Sequence, residues 1–151
     1  MSSAPQIAVA IPLKLWQDPQ GNVVLRYSRE TCLMYFGCWT DAGEPADYLG
    51  QLTFHNAWAI RGLRLESHSY KIKRHEYHSN ILVVENSEWL PQVTEQRLKN
   101  YPEWKTWDTR KYFHYVVSGH DNYYDIIATG FEENIVPENE AGELAKLIHE
   151  A

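Results

Sequence analysis

Apolar and polar residues alternate with a period of two along most of this chain and change to a period of three to four only late. That is the order of strands followed by helices. Leu13 to Ser28 carries apolar and polar residues on both sides of Asp18-Pro19-Gln20-Gly21-Asn22, in which Pro presets φ and Gly accepts a positive φ, and it predicts a hairpin. Thr31 to Trp39 is almost continuously apolar and aromatic, which suits a strand covered on both faces. Thr40 to Tyr48, with Asp41, Gly43, Pro45 and Asp47, is expected to be a loop. Beyond it Leu52 and Phe54 alternate with Thr53 and His55, a turn is expected at His55-Asn56, and Ala57 to Glu66, Tyr70 to Lys73 and Ile81 to Val84 all suit strands.

The period then lengthens. Leu90, Val93 or Thr94, Leu98 and Tyr101 recur at three and four, with Ser87 as a candidate cap and Pro102 as the stop; the regular helix is expected to begin at Pro91. A second helix is expected from an Asn139 cap through Ala141, Leu144, Ala145 and Ile148. Between them Lys111 to Glu132 reads as one antiparallel pair turning at His120-Asp121, so residues whose numbers sum to 241 face each other. One face of that pair collects Phe113, Tyr115, Val117, Tyr124, Ile126 and Ala128 and belongs to the core. The other collects Tyr112, His114, Val116, Ser118, Tyr123, Asp125, Ile127 and Thr129, and is expected to be half exposed.

Seven or eight strands with two helices in the C-terminal half make an α+β fold, mostly antiparallel because the connections are too short for parallel crossovers. A curved sheet with helices against one face is expected, as a single domain over 1–151 with 1–6 frayed. Its 151 residues are 44% apolar and 23% charged, enough to bury a core without disulfides or metal. No apolar run approaches the roughly 20 residues of a membrane span, and the start lacks the basic character of a secretory signal. The chain reads as cytoplasmic, with no membrane partner. Cys32 and Cys38 would then be free thiols: six residues along one strand, at about 3.3 Å each, separate them far beyond disulfide reach.

Net charge is −6, yet Glu132 to Ala151 holds six acids against Lys146 alone, which leaves the body nearly neutral. A neutral body lacks the basic field that drives nucleic-acid binding. Two basic islands remain, at 71–78 and 97–111. The first contains His75 and His78, near His68, but their spacing suits neither a helix face nor a strand face, so no metal is expected and a solvated sheet edge fits the residues. The second interleaves Tyr101, Trp104, Trp107 and Tyr112 with cations; a loop tucked onto the core by two tryptophans explains it without nucleic acid. No Gly-rich phosphate loop is present and no cofactor is expected.

Two groups of residues could carry chemistry. On the mixed hairpin face His114 and Asp125 are diagonal neighbours whose side chains can meet, with Tyr112 and Tyr123 beside them. Ser118-Gly119-His120-Asp121 holds the residue types of a hydrolase, but neighbours in a tight turn cannot align as nucleophile, base and orienter. Six Trp and ten Tyr add a preference for binding surfaces. The leading expectation is a non-catalytic binding or interaction domain for a protein or small-molecule ligand, using a Tyr/Trp-lined sheet surface with Tyr112, His114, Tyr123 and Asp125 as ligand-binding residues. The alternative is a small-molecule enzyme with His114 and Asp125 as the acid-base pair. A homo-oligomer is compatible with either.

Overall fold

The computed structural model describes residues 6–29, 31–65, 68–73 and 81–149. It is an α+β fold of two mostly antiparallel sheets. The strands are β1 (Ile7–Ala10), β2 (Trp16–Gln17), β3 (Val24–Ser28), β4 (Thr31–Trp39), β5 (Pro45–His55), β6 (Ala59–Leu63), β7 (Lys71–Ile72), β8 (Ile81–Val84), β9 (Phe113–Ser118), β10 (Tyr123–Ala128) and β11 (Gly130–Pro137). The helices are α1 (Trp89–Asn100), α2 (Trp104–Trp107), α3 (Glu138–Ala141) and α4 (Glu143–His149). One sheet has the order β6-β10-β9-β8-β1-β7, and only β1 and β7 run parallel in it; the other has the order β11-β5-β4-β2, with β3 also on β4.

The count exceeds the expected seven or eight strands because Ile7–Ala10 forms β1 and the second strand of the expected 111–132 pair is followed by a separate strand, β11, in the other sheet. The β5 strand pairs with β11 in one sheet, and the chain then turns at Asn56, which takes a φ of 53°, and enters the other sheet as β6 on β10. The return path from β10 to β11 bends beside it, where the Thr129 amide donates to the His55 carbonyl. This shared corner joins the sheets along one side. Cys32, Met34, Phe36 and Cys38 of β4, with Leu52 and Phe54 of β5, face Ile81, Tyr115, Val117, Ile126 and Ala128 of the other sheet in one apolar core. Alternation places the expected face of the hairpin inside, and the register sums to 241 throughout, as in Tyr115 opposite Ile126 and Val117 opposite Tyr124.

Three local expectations are corrected. Residues 13–28 do form the turn, with the Gly21 amide bonded to the Asp18 carbonyl, but β2 and β3 pair in succession along β4 and not with each other. The span 40–48 holds a turn and then β5 from Pro45, whose exposed positions Pro45 and Asp47 carry residues that read as a loop in sequence, with Ala46 and Tyr48 on the core side. The tail helix is broken: Gly142, at φ 58°, separates α3 from α4, and Asn139 lies inside α3. Helices also cover both outer faces of the sheet pair rather than one. Ala141, Ala145 and Ile148 seal Tyr35 and Leu49 on the β4-β5 side, whereas Trp89 of α1 lies over His114 on the opposite side.

Candidate functional site

Register fixes the first relationship at the site. His114 faces Ile127 and Asp125 faces Val116, so the two polar residues are diagonal on one face of the β9-β10 ladder. Their side chains meet with His114 Nε2 2.7 Å from Asp125 Oδ1. Asp125 lies directly opposite Arg61 of β6, whose Nε donates to Oδ2 at 2.9 Å. Tyr70, just before β7, donates its hydroxyl to Oδ1 at 2.6 Å, and Arg61 Nη2 donates to that hydroxyl at 3.2 Å. Burial pushes the Asp125 carboxyl up, but hydrogen bonds from His114, Tyr70 and Arg61 and the charge of Arg61 outweigh it and hold the group below the usual carboxylate range. The same burial, with the carboxylate as neighbour, raises the Tyr70 phenol, so it stays a donor.

An ionised Asp125 requires a proton on His114 Nε2, and in the neutral imidazole this leaves Nδ1 as an acceptor. Nδ1 lies 2.6 Å from Ser87 Oγ. That oxygen in turn accepts the Leu90 amide at 3.0 Å, so Ser87 caps α1 and Pro91 falls in the first turn, where its missing N–H is no loss. The helix therefore starts at Trp89 rather than at Pro91. A continuous chain of hydrogen bonds thus runs from half-buried Ser87 through His114 to Asp125, which are 1% and 0% exposed. Trp89 packs edge-on against the imidazole with centroids 5.1 Å apart, and the Arg61 guanidinium lies 4.5 Å from the Trp89 ring. The expected half-exposed face is instead sealed.

The four expected ligand-binding residues divide between two places. Tyr123 is buried on the face of His114 and Asp125, its ring 5.9 Å from that of His68. Tyr112 precedes β9, donates to Asp108 and sets its ring 6.0 Å from Trp58. It therefore belongs to the second basic island. There Asp108 accepts Arg97 Nη2 at 3.0 Å and Arg110 Nε at 2.9 Å, and its carboxyl is held far below the usual range by Arg110 first, against the effect of burial, with Tyr112 and Arg97 adding. Arg97 also sits among rings, 4.4 Å from the centroid of Trp104, 4.7 Å from Trp58, 5.3 Å from Trp107 and 5.8 Å from Tyr112. Only one of the two tryptophans expected to tuck inward does so: Trp104 is buried, and Trp107 is 61% exposed.

Beside this cluster a groove of about 390 Å³ opens between α1 and β6, lined by Trp58, Ala59, Val93, Arg97, Asn100 and Tyr101 with Gln96. Among the described residues, the buried donors Trp58 Nε1, Trp104 Nε1 and Arg97 Nη1 have no hydrogen-bond partner. The turn at 118–121 carries no triad; His120 Nδ1 lies 3.1 Å from Asp121 in a solvent-exposed pair. His75 and His78 lie outside the described residues, His68 is half-buried, and no group of three metal-ligating side chains occurs among those described. Among the described residues, no helix is long and apolar enough to cross a membrane. No family model, curated protein or solved structure matches the chain.

Ser87, Arg61 and Tyr70 were not among the residues the sequence offered as functional. Ser87 is visible in sequence only as a helix cap, and the other two join the site through β6-β10 pairing and the segment before β7, contacts with separations of 64 and 55 residues.

Proposed function

We propose that this protein is a binding domain whose ligand occupies the groove between α1 and β6, against Trp58, Arg97 and Tyr101. The observation that carries this reading is an open aromatic groove under a helix none of whose residues is fully buried. Two features support it. Tyr101, 61% exposed, extends apolar surface along the groove wall, and the Arg97 side chain lines the same groove as a cation, which favours a ligand that brings an acceptor of its own. His114 and Asp125 are buried and do not line this groove, so the ligand does not rest on them.

The experiment is an NMR titration of ¹⁵N-labelled protein with phenylacetate and with neutral phenylacetamide, read at the indole N–H signals and assigned with Trp58→Phe and Trp104→Phe. Shifts confined to Trp58, Trp104 and Trp107, larger for the carboxylate and lost in Tyr101→Ala, are expected. No shift, or shifts centred on Trp16 and Trp39, would overturn the reading.

A further inference from the structure

We infer that the hydroxyl of Ser87 is an activated nucleophile, able to take an acyl group from a carboxylic ester, with His114 as its base and Asp125 as the orienting carboxylate. The inference goes beyond ligand binding in the groove and does not depend on it. A serine hydroxyl is a weak nucleophile until a base stands ready for its proton and a third group holds that base in the right tautomer. Each of these conditions is present. The Leu90 amide donates into Ser87 Oγ at 3.0 Å, which occupies one lone pair and fixes the rotamer, so the hydroxyl proton is left for His114 Nδ1 at 2.6 Å. On the far side of the ring Nε2–H is committed to Asp125 at 2.7 Å, and Asp125 is kept ionised by Arg61 and Tyr70. The base and the carboxylate are buried and Ser87 is half-buried, which strengthens the relay and directs it at the serine oxygen.

The reaction balances without any other group. Ser87 Oγ bonds to the ester carbonyl carbon as its proton passes to Nδ1, and the resulting imidazolium is stabilised by Asp125. The tetrahedral centre collapses, the bond to the leaving alkoxide breaks, and the alkoxide takes the proton from Nδ1 and departs as an alcohol. Water then attacks the acyl-serine, gives a proton to Nδ1 and releases the carboxylic acid, and the serine oxygen recovers its proton.

A fluorophosphonate reads the first step alone, since Oγ–P forms, P–F breaks and the proton leaves as HF. The full chain is treated with this reagent, and the modified residue is located by peptide mass mapping. A single adduct on Ser87 is expected, formed at least about a hundredfold faster than on exposed Ser69 and slowed by about that factor in Asp125→Asn, the range for a positioned base. Labelling of Ser87 in the unaltered protein needs no variant to fold. Absence of an adduct, or equal labelling of Ser87 and Ser69, would overturn the proposal and leave Ser87 as a helix cap. A rate unchanged in folded Asp125→Asn would overturn the assignment of base and carboxylate.

Discussion

Arg61 and Asp125 sit directly opposite each other on β6 and β10, with Nε 2.9 Å from Oδ2, and they differ sharply in exposure: the arginine side chain is 44% exposed and the aspartate 0%. The pair therefore conducts a surface charge to a sealed carboxylate. Because Asp125 also accepts from His114 and Tyr70, its removal strands three donors at once.

Asp125→Ala should consequently be among the costly single substitutions, at about 3 kcal/mol, the lower end of the range for breaking a buried pair because Arg61 can turn to water. Denaturant unfolding would measure it. An effect under about 1 kcal/mol would mean that the carboxylate is solvated in solution.

The pH dependence follows from the sign of the shifts. Asp125 and Asp108 both have carboxyls held below their unfolded values, so each contributes stability that is fully present above about pH 4 and is lost as pH falls through the lowered native value. Unfolding midpoints measured from pH 7 to pH 2 should stay level at first and then drop steeply in acid. Asp125→Asn should start lower and drop less steeply, because it has no carboxylate there to protonate. Parallel profiles for the two proteins would contradict the assignment.

The hairpin of β9 and β10 was legible because its alternation spans two strands and its turn is short, so a single register satisfies both faces; the diagonal contact of His114 with Asp125 follows from it. The division into two sheets was not. Residues 52–55 and 57–66 read as ordinary alternation on either side of a turn, and nothing local distinguishes a turn that returns to the same sheet from one that leaves for another. The site was half legible for the same reason. Contacts within the hairpin can be derived from register, but Arg61, Tyr70 and Ser87 arrive from elements whose pairing is set by the whole core. Tyr112 was misplaced by one residue, since β9 begins at Phe113 and the preceding residue turns away to Asp108.

The cysteines should behave as inert core residues. Cys32 and Cys38 are free and buried on the same face of β4, and desolvation pushes both thiols up to about 12, with Asp18 adding at Cys38 against a backbone hydrogen bond from Gly50. A thiol reagent such as dithionitrobenzoate should titrate two groups at once in denaturant and almost none in the native protein at pH 8. Rapid native reaction at either residue would contradict the packing of the core.

Adjacent positions on the last helix supply a sharp comparison, because Ile148 is 0% exposed and Leu147 is 52% exposed. Ile148 packs with Ala141 and Ala145 on Tyr35 and Leu49, its carbonyl accepts the Asn22 amide at 3.3 Å, and a Cβ placed on Gly21 would stand 3.6 Å from its Cγ2. Ile148→Ala removes buried methyl groups from a contact that joins the tail to the turn between β2 and β3, and should cost about 2 to 5 kcal/mol. Leu147→Ala should stay within about 0.5 kcal/mol, as surface substitutions do. Removal of the chain beyond Pro137 would uncover Tyr35 and Leu49, so the truncated protein should melt earlier and bind anilinonaphthalene sulfonate. If Ile148→Ala and Leu147→Ala proved equally mild, and the truncated chain kept its melting temperature, the helix would not be docked on β4 and β5 in solution.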